Sequence, residues 1–377
     1  MLGFLAYLPT IAFVPHQCYL AISALLFWRI YSSTRGLGEL DRDFTETGNK
    51  VNLYILLCFV AGSVANNYLH RHWGPEEFTI PYTLAIPLCF WAGIKLTTRD
   101  YKVIVYCIGL ECMVAIFESF QGISTIYSSL ANYQVFNDTD LLYNRRVLGL
   151  SEGSSHLALK VLLGYVLIDY AKMRGKAFAC LKALLLITAL LTYGRTSLVA
   201  LTVFLLFSMI RNWIASTKSC RNSVGAIVGC CIVSLLAYFM RDDLVHQFTR
   251  DTNQLELSQR PGIWSEVFED MRQSLFFGNG SYKKFVGEYH AHNSYLQLFS
   301  THGVVLSILY IILLCRRIKR FSIHVITLFV YSLAQYGLFW GISLIDMLLF
   351  SFLFGDSSIP ESRTGWRGKA RGAQKPS

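Results

Sequence analysis

The chain has 377 residues, of which 53% are hydrophobic and only 15% are charged, and its mean hydropathy is +0.41. A soluble domain of this size would carry more charge, so the composition excludes an ordinary water-soluble enzyme. The net charge of +10 would suggest nucleic acid in a soluble protein, but in a membrane protein Lys and Arg collect in cytoplasmic loops and fix the topology. We therefore expect a membrane protein that binds no nucleic acid.

Apolar runs of about 18 residues or more recur along the chain, which is the length that crosses the hydrocarbon core of a bilayer. Each run is expected to be a helix, because lipid offers no partners for the polar groups of the backbone. The runs lie at 2–29, 51–69, 78–96, 102–120, 155–171, 177–194, 196–213, 223–240, 294–315, 321–339 and 341–355. Pro15 and His16 interrupt the first run, which is either one kinked helix or a hairpin of two. The predicted fold is an all-α polytopic transmembrane helical bundle of roughly 10–12 helices.

The distribution of basic residues predicts which gaps between the runs face the cytoplasm. Every odd-numbered gap carries at least three Lys or Arg, whereas the short even-numbered gaps carry two at most. Under the positive-inside rule the odd-numbered gaps are cytoplasmic, and the polar stretches at 121–154 and 241–293 are periplasmic. We expect transmembrane helices with short loops at 1–240, one large periplasmic loop at 241–293, C-terminal transmembrane helices at 294–357, and a disordered cytoplasmic tail at 358–377.

The sequence indicates neither a metal site nor a cofactor. Its ten cysteines lie in apolar runs or basic loops without a CxxC pair, which indicates no zinc site and no disulfide framework. Asp138-Thr-Asp140 matches a metal-binding pattern of nucleotide-sugar transferases, but nucleotide sugars are not available on the predicted outer side. Neither a phosphate-cradling Gly-Lys-Ser/Thr loop nor an HExxH motif is present, which argues against ATP hydrolysis and zinc proteolysis.

Arg195 is a candidate functional residue, because it lies in a very short gap on the predicted outer side, where positive charge is disfavoured. Its guanidinium is suited to holding a phosphate through forked hydrogen bonds. The alternative is an arginine that only reaches towards lipid headgroups. Arg145 and Arg146 also lie on the predicted outer side of the membrane, and the same two alternatives apply to them.

The second half of the large loop carries Arg260, an apolar segment at 263–277, and His292. The apolar residues of the segment recur at helical spacing, which predicts a helix lying on the membrane surface. They are Trp264, Phe268, Phe276 and Phe277. His292 stands at the mouth of the next run and is a candidate general base, because histidine exchanges protons near neutral pH. The alternative is an ordinary polar residue at the membrane interface.

Five charged residues lie within or near the apolar runs, namely Glu111, Glu118, Lys160, Asp169 and Asp346. Charges inside a membrane are costly, so each is expected either to line a polar cavity or to pair within the bundle. Those near helix ends can also reach the interface. Glu111 and Asp346 are expected to lie deepest.

The pair His292-Asn293, followed after nine residues by Gly303, resembles the signature of the bacterial O-antigen ligase and O-antigen polymerase superfamily. Three further motifs look like the same family, namely Tyr193-Gly-Arg195, Arg260 with Trp264, and Phe277-Gly-Asn-Gly280. The resemblance covers roughly 145–315. One departure is Leu306, where ligases usually have a smaller residue.

The resemblance implies a multi-helix glycosyltransferase of the bacterial inner membrane, whose donor is a glycan on undecaprenyl diphosphate. It implies that Arg195 and Arg260 hold the departing diphosphate while His292 takes a proton from the acceptor hydroxyl, without a metal or nucleotide. The remaining substrate-binding candidates are Arg145, Arg146, Glu152, His156, His290, Asn293 and Trp264. Expected partners are the lipid-linked glycan donor and acceptor, membrane lipids and a chain-length regulator protein.

The segment Arg146–His156 looks more like the Glu-Pro-Ser-His segment of repeat-unit polymerases, with Gly153 in the place of the proline. We therefore expect a polymerase, with a ligase that transfers polymer to lipid A-core as the alternative. A flippase for lipid-linked units would concentrate charge inside the bundle and keep its loops short, unlike this chain. A non-enzymatic assembly partner would leave Arg195, Arg260 and His292 without a role.

Overall fold

The computed structural model describes most of the chain. The described residues are 1–15, 18–33, 49–70, 80–121, 146–215, 260–280, 285–286, 289–339 and 343–355. Several predicted parts lie outside them, namely the apolar run at 223–240, the loop residues 122–145 and 241–259, and the tail at 358–377.

The described residues form a helical bundle, as predicted. Its helices are α1 (Leu2–Tyr7), α2 (Cys18–Ser33), α3 (Lys50–Leu69), α4 (Ile80–Lys95), α5 (Thr98–Gln121), α6 (Ser154–Tyr170), α7 (Lys176–Leu191), α8 (Arg195–Ala215), α9 (Arg260–Gln273), α10 (Ser294–Cys315), α11 (Ile323–Ser332) and α12 (Leu344–Phe354). A two-residue antiparallel pairing joins β1 (Phe285–Val286) to β2 (Tyr289–His290).

Three of the described helices are long and apolar enough to cross a membrane, namely Lys50–Leu69, Thr98–Phe120 and Ser294–Cys315. Shorter apolar helices lie at Leu84–Lys95, Ile323–Ser332 and Leu344–Phe354. The run predicted at 321–339 ends its helix at Ser332, and the chain continues to Phe339 in turns. The described residues thus include helices that fit the membrane protein deduced from composition.

The first apolar run is a hairpin of two pieces. The Gly3 amide donates to Asp100 Oδ1 at 2.9 Å near the start of α5, and the Ala12 amide donates to the Leu150 carbonyl at 2.9 Å just before α6. The first piece therefore runs from one end of the bundle to the other. After Pro15, α2 returns along α4.

Contacts between loops distinguish the two ends of the bundle. At one end, Arg316 Nε donates to Asn52 Oδ1 at 2.7 Å and Arg320 Nη1 donates to the Gly355 carbonyl at 2.7 Å. Gaps predicted to be cytoplasmic thus lie together. The opposite end, which we call the outer end, is formed by residues 146–156, 192–197, 260–280, 289–294 and 331–339. These residues come from gaps predicted to be periplasmic and from their edges, so the grouping agrees with the charge pattern.

Helix α10 is broken, unlike the continuous helix that its run predicts. Gly303 has φ 66° and ψ 179°, a conformation open essentially to glycine. The break removes the bonds that Val304 and Val305 would donate to Ser300 and Thr301 in a regular helix. In a membrane-spanning segment such backbone groups must find other partners inside the protein.

The segment Leu275–Gly280 supplies those partners. The four bonds join Asn279 N to Ser300 O (2.7 Å), Gly280 N to Thr301 O (3.0 Å), Val304 N to Leu275 O (2.9 Å) and Val305 N to Phe276 O (3.1 Å). The two backbones approach most closely at Gly278 and Gly303, where a Cβ on either residue would lie 2.4 Å from the amide nitrogen of the other. Asn66 of α3 also donates to the Phe277 carbonyl. The segment Leu275–Gly280 and the break at Gly303 thus pack as one unit, which we call the joint.

A buried ion pair fixes the chain before α6. Glu111 and Lys160 are both buried, and Lys160 Nζ lies 2.9 Å from each carboxylate oxygen of Glu111. Glu111 also accepts hydrogen bonds from the Ser151 hydroxyl (2.8 Å) and from Tyr7. Two turns further along α5, Glu118 accepts from two backbone amides of the segment 147–151. Pairing within the bundle therefore accounts for these three charges.

The last two charges in the apolar runs also have structural partners. Asp346 lies in the first turn of α12, where it bonds to the Ser343 hydroxyl (2.8 Å) and to the Phe339 amide (2.9 Å). Ser343 caps α12 by accepting from the Asp346 amide, so Asp346 stands near the start of its helix, and its side chain is buried, as expected. Asp169 pairs with Arg211 at 3.0 Å and with His324 at 2.8 Å.

We expect Gly303→Ala to destabilise the protein by at least about 2 kcal/mol, because alanine fits neither the backbone conformation nor the space beside Gly278. Thermal unfolding in detergent would measure the loss. Gly262→Ala is the matched control, since nothing lies within 4 Å of its added Cβ. A Gly303→Ala protein with the melting temperature of the wild type would contradict the role of the joint.

Lys160→Met is expected to cost roughly 3–5 kcal/mol, because it leaves the Glu111 carboxylate buried without its cation. The double variant Lys160→Met/Glu111→Gln should recover part of this loss, since no unpaired charge remains. The same unfolding assay reports both variants, and exposed Lys176→Met serves as control. Additive losses in the double variant would show that the two residues do not act as a pair.

Candidate functional site

Arg195 is placed by a tight turn between α7 and α8. Tyr193 has a left-handed φ of 48°, and a Cβ on Gly194 would lie 2.8 Å from the Cβ of Ala158 in α6. Glycine at this position therefore allows the turn to pack directly against α6. Arg195 follows as the first residue of α8 and is half-buried at the outer end.

Arg260 is the first residue of α9, and this helix is docked on the start of α10. Ile263 and Val267 are buried in a small apolar cluster that includes Leu296. The Trp264 indole nitrogen donates to the Ala291 carbonyl at 2.6 Å, which ties α9 to the residue before His292. Trp264 thus anchors the helix that carries Arg260.

The apolar face predicted for 263–277 is only partly correct. The helix ends at Gln273, so Phe276 and Phe277 belong to the joint with α10 and not to the helix. Phe268, Phe276 and Phe277 are 50%, 64% and 62% exposed. The residues of the helix that are buried against α10 are the smaller Ile263 and Val267.

His292 projects from a strained turn at the mouth of α10. Its φ of 44° is in the left-handed region, which residues other than glycine seldom adopt outside functional sites and turns. The ring is half-buried, and its Nδ1 lies 3.2 Å from Gln335 Oε1. Asn293 Oδ1 caps α10 by accepting from the Tyr295 and Leu296 amides. Asn293, the neighbour of His292, is thus used by the helix, and Gln335 contacts the ring.

The Tyr336 hydroxyl supports the same turn. It receives hydrogen bonds from the backbone of Ala291 and His292, and it donates to Gln297 Oε1 at 2.9 Å. Burial raises the pKa of Tyr336, and the backbone hydrogen bonds oppose this shift without cancelling it. The hydroxyl therefore stays protonated and keeps its bond to Gln297.

Residues 331–335, at the end of α11 and just after it, lie near His292, Arg260 and the start of α8. Gln335, which contacts His292, directs its amide nitrogen at Ser155 Oγ (3.5 Å). Tyr331 OH lies 3.5 Å from the Ser155 carbonyl, bonds to Ser197 in the first turn of α8, and interacts electrostatically with Arg260. The start of α8, the start of α9 and His292 therefore surround one group of polar side chains.

The remaining predicted substrate-binding residues differ in how far they are exposed. Glu152 and His156 are exposed on either side of Ser155, and Glu152 lies close enough to Lys160 to interact with its charge. Arg146 is half-buried, with its Nε shielded from solvent. Arg145 lies outside the described residues, as does the side chain of His290, whose backbone forms β2.

Ser151 lies within Gly149–Gly153, which matches the Gly-x-Ser-x-Gly pattern of serine hydrolases. That pattern works when the serine is presented at an exposed strand-to-helix turn. Here Ser151 is fully buried and its hydroxyl donates to Glu111. The structure therefore assigns Ser151 to the buried network and not to nucleophilic catalysis.

The polar residues around Ser155 were not predicted as parts of the site. Gln335 and Tyr331 stood inside a run taken as one membrane helix, although a glutamine in an apolar run is a signal for a buried polar contact. Ser155 and Ser197 gave no signal of their own, because small hydroxyl residues are common inside membrane helices. These four residues and Arg260 form a polar group at the outer end. Such a group can bind an anion beside the imidazole of His292.

Comparison with known proteins gives a family match over part of the chain. Residues 180–311, about a third of the chain, match the model of the O-antigen ligase family. This stretch contains Arg195, Arg260 and His292. No curated protein matches the chain. The family match agrees with the motif resemblance, and both fall on the same part of the chain.

Proposed function

We propose that the protein is an inner-membrane glycosyltransferase that polymerises undecaprenyl-diphosphate-linked oligosaccharide units into O-antigen or a related surface polysaccharide. The observation that carries the proposal is the polar group around Ser155, in which Gln335 contacts His292 and Tyr331 lies near enough to Arg260 to interact with its charge. Two arginines and one histidine at the same end of a membrane bundle suit a reaction of a lipid-bound anionic donor.

The leaving group explains the need for the arginines. When the glycosidic bond to the lipid diphosphate breaks, the departing diphosphate gains negative charge. Guanidinium groups held in place before the reaction stabilise that charge without reorganising. Arg195 and Arg260, each the first residue of a helix, are the groups we assign to this task, in place of a metal ion or a nucleotide.

The acceptor explains the need for the histidine. A sugar hydroxyl must lose its proton as its oxygen attacks the anomeric carbon of the donor. We assign His292 as the general base that takes this proton, while the new glycosidic bond forms and the lipid diphosphate leaves. The strained turn at His292 is consistent with a ring held for chemistry rather than for packing.

Polymerase is preferred over ligase because of the segment 146–156. Its Ser155 contacts Gln335 and Tyr331 at the site, which suits a segment that binds the incoming glycan. Further substrate-binding roles are proposed for the same residues as before, namely Arg145, Arg146, Glu152, His156, His290, Asn293 and Trp264. A ligase that transfers the polymer to lipid A-core would use the same donor chemistry and differ in its acceptor.

Arg195→Ala, Arg260→Ala and His292→Asn should each reduce polymer formation by roughly 100-fold or more, because each removes a group that acts in the transition state. Asparagine tolerates the left-handed backbone of position 292 but is no base. Chain length is measured on gels of surface polysaccharide from complemented cells. Arg272→Ala is the control, since Arg272 is exposed on α9 and pairs only with Glu269 among the contacts described. Normal long chains from the His292→Asn strain would refute the assignment of the base.

Deletion of the gene distinguishes a polymerase from a ligase. Loss of a polymerase should leave single repeat units attached to lipid A-core, whereas loss of a ligase should leave polymer on undecaprenyl diphosphate and none on the core. Purified protein that converts lipid-linked units to polymer in detergent would exclude a flippase, because no transport is possible there. Accumulation of unligated polymer in the deletion strain would overturn the polymerase proposal and favour the ligase.

A further inference from the structure

We propose that Gln335 is a positioning residue that fixes the tautomer and orientation of His292, so that Nε2 is the nitrogen that accepts the proton. This inference rests on the proposed role of His292 as the base. Gln335 lies beyond residues 180–311, so it is not part of the stretch that matches the family. The reacting group and the group that orients it therefore come from different parts of the chain.

The contact between the two side chains determines the tautomer. Gln335 Oε1 lies 3.2 Å from His292 Nδ1, and a carbonyl oxygen can only accept a hydrogen bond. The proton of the neutral imidazole must then sit on Nδ1, which leaves the lone pair on Nε2. A carboxylate does the same for the histidine of a catalytic triad, but a neutral amide fixes the tautomer without adding charge.

Gln335 is itself held from both sides. Its amide nitrogen faces Ser155 Oγ at 3.5 Å, which keeps the amide oxygen turned towards His292. Its carbonyl accepts from the Ser294 hydroxyl at 3.1 Å, and that hydroxyl in turn accepts from the Gly337 amide at 2.9 Å. The residue that orients the ring is thus fixed to the first residue of α10, two positions from the ring itself.

Gln335 and Tyr336 are the described neighbours of the imidazole, and they act on different parts of the turn. The Tyr336 ring lies with its centroid 6.0 Å from that of His292, and its hydroxyl is used by the backbone of the turn and by Gln297. Tyr336 therefore holds the backbone of the turn, whereas Gln335 holds the ring. Arg260 is the charged residue that interacts with the neighbouring Tyr331.

Two substitutions separate positioning from general stability. Gln335→Met keeps the size of the side chain but removes the acceptor, and we expect kcat to fall roughly 10- to 100-fold with little change in KM. Gln335→Glu keeps an acceptor and adds a charge that favours protonated imidazole. Because the base must be unprotonated, the acidic limb of the kcat/KM profile should move up by about one pH unit. The substrate is lipid-linked repeat unit extracted from the deletion strain, and Gln273→Met, exposed on α9, is the control.

The tautomer can be measured without turnover. Solid-state NMR of protein labelled with ¹⁵N-histidine in liposomes distinguishes a protonated from an unprotonated ring nitrogen, and the signal of His292 is identified by its loss in His292→Asn. We expect Nδ1 to carry the proton in the wild type and a mixture of tautomers in Gln335→Met. The Gln273→Met protein should keep the spectrum of the wild type.

The outcomes distinguish this inference from the proposed function. If His292→Asn is inactive but Gln335→Met has the wild-type kcat and tautomer, Gln335 does not position the base and only this inference fails. If His292→Asn remains active while Gln335→Met changes the tautomer, Gln335 orients the ring but His292 is not the base. An unshifted pH profile for a folded, active Gln335→Glu protein would also overturn the positioning role.

Discussion

A helix that breaks inside a bilayer must give new partners to the backbone groups that it releases, because lipid offers none. This constraint governs the outer end of the protein. The break at Gly303 is closed by Leu275–Gly280, which takes up two carbonyls and two amides of α10. Since this segment directly follows α9, the joint fixes the helix that begins at Arg260 relative to the helix that begins beside His292.

The second half of the outer end is fixed by charge. Glu111 and Glu118 on α5 bind amides and a hydroxyl of the segment 147–151, and Lys160 neutralises Glu111. A buried carboxylate is costly on its own, but here it is compensated by a cation and several donors. The segment that leads into Ser155 is therefore held against α5 by hydrogen bonds, although it has no regular secondary structure.

These two fixed regions meet at the end of α11, where the helix stops at Ser332 and the chain turns back towards α12. Ending a helix early exposes polar groups that a full-length membrane helix would hide. Gln335 and Tyr336 follow the end of this helix, and both contact the strained turn of His292. The family match ends at residue 311, so part of the polar surroundings of the candidate base is contributed by chain outside it.

The comparison between prediction and structure has a physical basis. Helices, their order and the grouping of their loops at two ends followed from apolar run length and from the alternation of basic residues, since both are imposed by the bilayer along the chain. The sequence also singled out Arg195, Arg260 and His292 as candidate functional residues. Positive charge is disfavoured on the predicted outer side, and an imidazole there can exchange protons. The structure places all three at the outer end, and their catalytic roles stay a proposal.

The sequence by itself did not determine the break at Gly303, the partner of Glu111 or the role of Gln335. Each depends on a contact between residues far apart in the chain, such as Gly278 with Gly303 or His292 with Gln335. Local periodicity carries no information about such pairs. A glycine in an apolar run looks the same whether or not another backbone packs against it, and a glutamine there signals a polar contact without identifying the partner. Only the packed bundle decided which polar groups satisfy one another.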